Sequence, residues 1–343
     1  MRVAMYYSNK DIRLENMPIP SIGAGELLVR IHASGICGSD VMEWYRIHKA
    51  PLVLGHEIAG EVVEVGEGVK AFREGDRVAA THHVPCFSCQ YCLSGHETVC
   101  DMLLSGTHFE PGGFCEYVRL PAINVDRGTW KIPEELSYDE ATFVEPLACV
   151  LRGQRRVRLR PAQRVLVLGS GISGLLFVSV ARAVGAGQIV ATDVSEYRLD
   201  AARRLGADYT IRADQDIPGL FREINDGRGA DTVIVATGAA RAMEQAFQTV
   251  ERGGVILLFA PTAEGVAIST PINKLFWRRD VTLTTTYGGS PADCVNGLEL
   301  IRTKRIQVRN MVTHRFGLAD TAEGFKLVEK GNESIKIIIR PQE

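Results

Sequence analysis

Apolar positions along the chain keep two different rhythms. Up to Glu145 they come as short β-branched runs broken by glycine, such as Leu27–Ile31, Glu57–Val65 and Arg77–Ala80. Runs of that length with turn residues between them predict a compact, mostly antiparallel β domain. After Pro146 the texture changes. Apolar stretches at Val165–Leu168, Ile189–Thr192, Thr232–Ala236 and Val255–Phe259 alternate with helical patterns such as Gly174–Val184 and Glu196–Leu205. That alternation predicts an α/β domain with a doubly wound parallel sheet. Beyond Tyr287, two helical segments (Ala292–Thr303 and Asp320–Lys330) and a strand (Ile335–Arg340) close the chain. The expected division is residues 1–151, 152–286, and 287–343 returning to the first domain.

Composition narrows the function classes. A formal net charge of −2 gives no general reason to bind nucleic acid or anionic lipid. The longest apolar stretch, Leu175–Val184, already contains Arg182 and is far short of the ~18 residues that would span a bilayer. The opening residues Met1–Tyr7 read as a strand and lack a secretory apolar core, so a cytoplasmic location is expected. The arginine run Arg152, Arg155, Arg156, Arg158, Arg160 and Arg164 lacks interleaved aromatics. It reads as a solvated helix and hinge rather than a phosphate patch.

Half of the 8 cysteines are bunched: Cys86, Cys89, Cys92 and Cys100. Thiolates recurring every third residue can wrap a tetrahedral Zn²⁺ with sulfur at about 2.3 Å. Four protein ligands leave no position for substrate, so this lobe, about residues 82–104, reads as a closed structural site. A reduced cysteine core or an iron–sulfur cluster are the other readings of the same four thiols. His82, His83 and His96 nearby are expected to be solvated loop residues, since four sulfurs suffice.

The chemistry of the second half lies in Val165–Leu168 running into Gly169-Ser-Gly171-Ile172-Ser173-Gly174. Between a strand and a helix, these glycines allow a tight turn and bring backbone N–H groups against a pyrophosphate, the fingerprint of a Rossmann domain. Asp193 ends the next predicted strand, at the distance expected of a carboxylate that binds the adenosine ribose. That carboxylate would repel a 2′-phosphate, so NAD is expected over NADP. Arg198 could stack on adenine or soften the preference.

Cys37-Gly-Ser39-Asp40 and Gly55-His56-Glu57-Ile-Ala-Gly60, followed by Gly66, Gly75-Asp76-Arg77-Val78 and Val144-Glu145-Pro146-Leu147, resemble the zinc-containing medium-chain alcohol dehydrogenase family over essentially the whole chain. They are most similar to its polyol (sorbitol-type) branch, with threonine 3-dehydrogenases close behind. The resemblance implies a GroES-like, mostly β catalytic domain beside the Rossmann domain. It implies a catalytic zinc on Cys37 and His56, with Glu57 and Glu145 as the carboxylates of the site, and two zinc ions per chain in all. A catalytic zinc keeps a position open, so Glu57 and Glu145 are not both expected on the metal at once. The resemblance also implies Ser39 as a proton carrier, and Leu258, Phe259, Ala260, Thr285, Thr286 and Tyr287 near the nicotinamide.

Where relatives carry a histidine three residues after Ser39, this chain has Met42, so the proton path ends in water, a ribose hydroxyl or a group such as His48. Glu43 and Thr286 stand where the polyol branch resembles a Tyr and an Arg, and Trp44 and Tyr287 could wall the pocket. A pocket that loses a cation and gains a carboxylate suits a small hydroxyl-rich substrate, neutral or amine-bearing. The alternatives are an L-threonine 3-dehydrogenase-like enzyme and a catalytically silent dinucleotide-binding relative. A homo-oligomer is expected, a tetramer over a dimer, through edge pairing near Val281–Thr286.

Overall fold

The computed structural model describes residues 1–105, 108–270 and 272–343. The chain forms two compact units, Met1–Ala148 with Gly288–Glu343, and Cys149–Tyr287.

The first unit is built on a seven-stranded sheet whose centre is the antiparallel pair Leu27–Gly35 and Glu57–Val65. Leu27–Gly35 is covered on both faces, which is why its apolar pattern is nearly continuous rather than alternating. Arg77–Ala80 and then Thr129–Lys131 extend the sheet on one side. On the other, the closing strand Lys336–Arg340 pairs antiparallel with Leu27–Gly35 and parallel with Val312–Gly317. A smaller sheet joins Asp11–Asn16, Arg2–Ser8 and Leu52–Val53. Val29, Ile31, Val62, Phe114, Phe325 and Ile337 belong to one buried core. Tyr138–Ala141 is started by a capping box between Ser137 and Glu140, and the helix Val144–Val157 that follows carries Glu145 in its first turn.

The second unit is a six-stranded sheet of parallel strands in spatial order 3-2-1-4-5-6, counted from Arg164–Leu168. This is the doubly wound order with its switch point beside the first strand. Val165, Leu166, Val167 and Leu168 are fully buried at its centre. Helices Ile172–Val184, Glu196–Arg204, Ile217–Glu223 and Ala240–Thr249 connect the strands. Tyr209–Arg212, not singled out by pattern, is the short, half-exposed strand at one edge. Of the arginine run, Arg155, Arg156, Arg158 and Arg160 are exposed, but Arg152 is buried. Among the described residues no helix is long and apolar enough to cross a membrane.

Candidate active site

Strand register assembles the first donor group. Gly35 pairs with Glu57, so Cys37, just past one strand, meets His56, just before the other. Donor atoms of Cys37, His56 and Glu57 lie within 4.8 Å of one another. His56 Nδ1 is 3.3 Å from Oδ1 of the fully buried Asp40, which also accepts the Cys37 N–H at 3.0 Å. Burial pushes the His56 imidazole down, but Asp40 and then Cys37 carry it well above its ordinary value. With Nδ1 facing Asp40, Nε2 is the nitrogen left for a metal.

Glu57 is divided between two tasks. Burial raises its carboxyl, and Lys336 works against that rise. Oε2 is paired with Nζ of Lys336, a fully buried lysine that also donates to the Ile36 carbonyl at 3.2 Å. Oε1 is buried and has no hydrogen-bond partner among the described residues. Gly35 makes the arrangement possible, since a Cβ there would stand 2.1 Å from Glu57 Oε2 and 2.6 Å from Lys336 Cε. An orphaned carboxylate oxygen beside a thiol and an imidazole fits a zinc ion with a position to spare.

Glu145 belongs to a neighbouring group, with His82 and His83, whose donor atoms also lie within 4.8 Å of one another. His83 Nδ1 is 3.1 Å from Glu145 Oε1. The expectation that His82 and His83 are solvated is therefore corrected. His83 is 7% exposed, and the His82 ring packs against those of His83 and His56, with centroids 3.9 and 4.7 Å away. Burial first, then the two neighbouring imidazoles, push His82 well below its ordinary value. The chain bends at His82 and turns inward, so counting sulfurs could not place these rings. His96 is exposed, as expected.

Ser39 has a partner that sequence reasoning missed. Arg46 donates to the Ser39 hydroxyl at 3.2 Å and to its carbonyl at 3.0 Å, and lies 3.7 Å from Asp40. A guanidinium thus occupies the surroundings of Ser39 in the stretch where Met42 replaces histidine. His48 is exposed in a short 3₁₀ turn. Glu43 is also exposed and accepts the Asn9 N–H at 3.0 Å. Trp44 is exposed beside Tyr45. Lys336 was equally hidden in the sequence, where it and Arg340 are simply the two charges that bracket the apolar Ile337–Ile339 of the final strand.

In the four-cysteine lobe, Sγ–Sγ separations are 3.5 Å for Cys86–Cys100, 3.6 Å for Cys89–Cys92 and 3.9 Å for Cys86–Cys92. Sulfurs at 2.3 Å around a tetrahedral zinc stand about 3.8 Å apart, so the donor set fits that ion.

In the second unit, Gly169 has φ +93°, a conformation that favours glycine, and a Cβ on Gly174 would stand 1.9 Å from the Gly169 carbonyl oxygen. Gly171 instead faces open space, with Arg198 Nη1, at 4.0 Å from an added Cβ, its one neighbour among the described residues. It leads into Ile172, Ser173 and the rest of a helix with no side-chain cap at its N-terminus, where free N–H groups favour an anion. Asp193 accepts the N–H groups of Ser170 at 2.8 Å and Ser195 at 2.9 Å, which fixes its carboxylate at the strand end. Leu258 and Thr285 are register partners at the ends of adjacent strands. Phe259 and Ala260 both donate to the Val235 carbonyl. Thr286 is half-buried and Tyr287 is exposed.

Residues 23–134 match the alcohol dehydrogenase GroES-like domain, and residues 173–303 the zinc-binding dehydrogenase domain. The chain is 30% identical to sorbitol dehydrogenase of Bacillus subtilis, covering 99% of this chain and 97% of that protein. It belongs to the zinc-containing medium-chain alcohol dehydrogenase family. It is also 34% identical to L-threonine 3-dehydrogenase of Bacillus licheniformis, covering 95% and 94%. Among solved structures, a Sinorhizobium meliloti zinc-binding dehydrogenase bound to NADP has TM-score 0.87 at 26% identity, covering 99% of each chain. An Escherichia coli alcohol dehydrogenase complexed with NADH has TM-score 0.85, also at 26% identity and 99% of each chain. This dehydrogenase is thus an oxidoreductase that works with zinc and a nicotinamide dinucleotide, on a GroES-like domain and a Rossmann domain.

Proposed function

We propose that this dehydrogenase moves a hydride from a secondary alcohol of a hydroxyl-rich, neutral or amine-bearing substrate to NAD, using two zinc ions per chain, one catalytic and one structural. The observation that carries this reading is the convergence of Cys37, His56 and the unpartnered Glu57 Oε1. Zinc held there would supply the Lewis acidity that lets a substrate hydroxyl lose its proton near neutral pH. Asp40 orients His56, and Lys336 holds one oxygen of Glu57 so that the other faces the donors. Glu145, engaged by His83, stands off that ion rather than completing its shell. Ser39, with one lone pair taken by Arg46, receives the alcohol proton on the other and releases its own outward. Asp193 favours the ribose hydroxyls of NAD over a 2′-phosphate, with the Gly169–Gly174 loop on the pyrophosphate.

Leu258, Phe259, Ala260, Thr285, Thr286 and Tyr287 are the nicotinamide contacts in this reading, and Glu43, Trp44 and Tyr287 border the substrate. The 34% identity to an L-threonine 3-dehydrogenase favours a second reading, an amino-alcohol substrate. A panel of polyols, inositols, amino sugars, sugar-alcohol phosphates and L-threonine, followed by NADH absorbance with either dinucleotide, separates them. Turnover of unphosphorylated polyols or amino alcohols with NAD supports the proposal. Phosphate esters as best substrates by kcat/KM, or NADP as the better acceptor, overturn it. We also infer a cytoplasmic homo-oligomer, a tetramer over a dimer. None of the eight cysteines is joined in a disulfide, which suits a reducing compartment, and the edge strand Thr282–Thr285 presents an exposed Leu283.

A further inference from the structure

We propose that His82, His83 and Glu145 hold a further divalent cation beside the Cys37–His56–Glu57 centre, so that the site carries a pair of ions. Three facts lead there. The donor atoms of the three residues already lie within 4.8 Å of one another, and one edge, His83 Nδ1 to Glu145 Oε1, measures 3.1 Å. Nitrogen and oxygen ligands at about 2.0–2.2 Å from zinc stand roughly 3.4 Å apart, so small side-chain rotations close the set.

The second fact is the backbone. Consecutive residues of extended chain point to opposite sides. A bend at His82 cancels that, and both imidazoles converge on one carboxylate with ring centroids 3.9 Å apart. The third fact is composition: two imidazoles and one carboxylate form a set that binds first-row divalent metals and leaves positions open. It comes from two segments, the loop after Arg77–Ala80 and the first turn of Val144–Val157. Neither supplies the Cys37–His56–Glu57 set.

The two donor groups adjoin through the His56 and His82 rings, 4.7 Å apart between centroids. Ions side by side take neighbouring oxygens of one ligand, so the open positions suit a 1,2-diol or the α-hydroxyketone derived from it. That ligand class rests on the dehydrogenase reading, whereas the cation seat does not.

The test is a titration of metal-free protein with Co²⁺, read by absorbance. The two cysteine-bearing sites give thiolate-to-cobalt charge transfer. The expected third equivalent adds ligand-field absorption with no new charge-transfer intensity. In the His82→Ala/His83→Ala double variant the third equivalent is lost while both thiolate-bearing equivalents remain, which also reports that the fold is intact. Should that variant misfold, His82→Asn alone is expected to weaken the third equivalent by more than the 10–100-fold typical of losing an outer-shell partner. Saturation at two equivalents in the native chain overturns the proposal. So does an unchanged third equivalent in either variant. None of these readouts requires a substrate, so a failed cation seat and a failed dehydrogenase reading remain distinguishable.

Discussion

In the four-cysteine lobe all donors come from one stretch, Cys86 to Cys100, and three of the four are partly exposed. In the Cys37 centre the donors come from two strand ends and are held by Asp40, Arg46 and Lys336, the last from the far end of the chain. One region brings its ligands together by short loops, and the other by sheet register and buried charge. In the proposed reading the difference separates two uses of a metal. A local loop that saturated its ion could only stiffen the chain. An assembled site, with a carboxylate oxygen left over, could take a substrate.

Exchanging one cysteine in each region breaks or upholds that contrast most sharply. Cys37→Ser is expected to lower kcat/KM by about 10³-fold or more, because the several kcal/mol of Lewis-acid stabilisation are lost. Its thermal midpoint should move little, since the strands around it are packed independently of the ion. Cys100→Ser, at a fully buried ligand of the lobe, should lower the midpoint by roughly 10 °C. Its kcat/KM per folded molecule should stay within about threefold. Calorimetry and steady-state rates on both variants decide. Equal loss of midpoint in the two would erase the distinction.

The buried charge that holds the assembled site gives the next effect. Lys336→Met removes the partner of Glu57 while leaving Glu57 buried. Breaking a buried pair from one side costs about 3–5 kcal/mol. Denaturant unfolding should show that loss. The double variant Lys336→Met/Glu57→Gln should recover part of it, because no charge is left uncompensated. Recovery in the double variant marks the pair as a positioning device; no loss in the single variant would mean that Lys336 merely fills space.

The same contrast explains what could be read from the sequence. Contiguous chemistry was legible: the four thiols, the Gly169–Gly174 loop and Asp193 each announce themselves by spacing, and their elements lie within a few residues of the expected bounds. Cys37 and His56 were legible only through resemblance, because nothing local tells that Gly35 pairs with Glu57. His82 and His83 were misread as solvated, since burial of a loop depends on what packs over it. Lys336 and Arg46 are visible only once strands from opposite ends of the chain lie side by side. Glu43, read as a pocket residue from its position, meets a backbone N–H whose location the sequence does not reveal.

The glycine loop offers the finest discrimination, because it is contiguous like the lobe yet, in the proposed reading, faces a reactant. If locality alone decided, all its glycines would be structural. The geometry divides them instead. A methyl group on Gly174 runs into the Gly169 carbonyl oxygen, so Gly174→Ala must push the helix Ile172–Val184 off its strand, at about 3 kcal/mol. A methyl group on Gly171 meets open space, the space a pyrophosphate needs. Gly171→Ala should therefore keep stability within about 1 kcal/mol of the native chain. Its KM for NAD should rise roughly tenfold, which is about 1.4 kcal/mol of lost contact. Denaturant melts and dinucleotide titrations on the pair read the two effects separately. Were Gly171→Ala to lose stability and keep its KM, the loop would be a turn like any other, and Asp193 alone would have to carry the dinucleotide assignment.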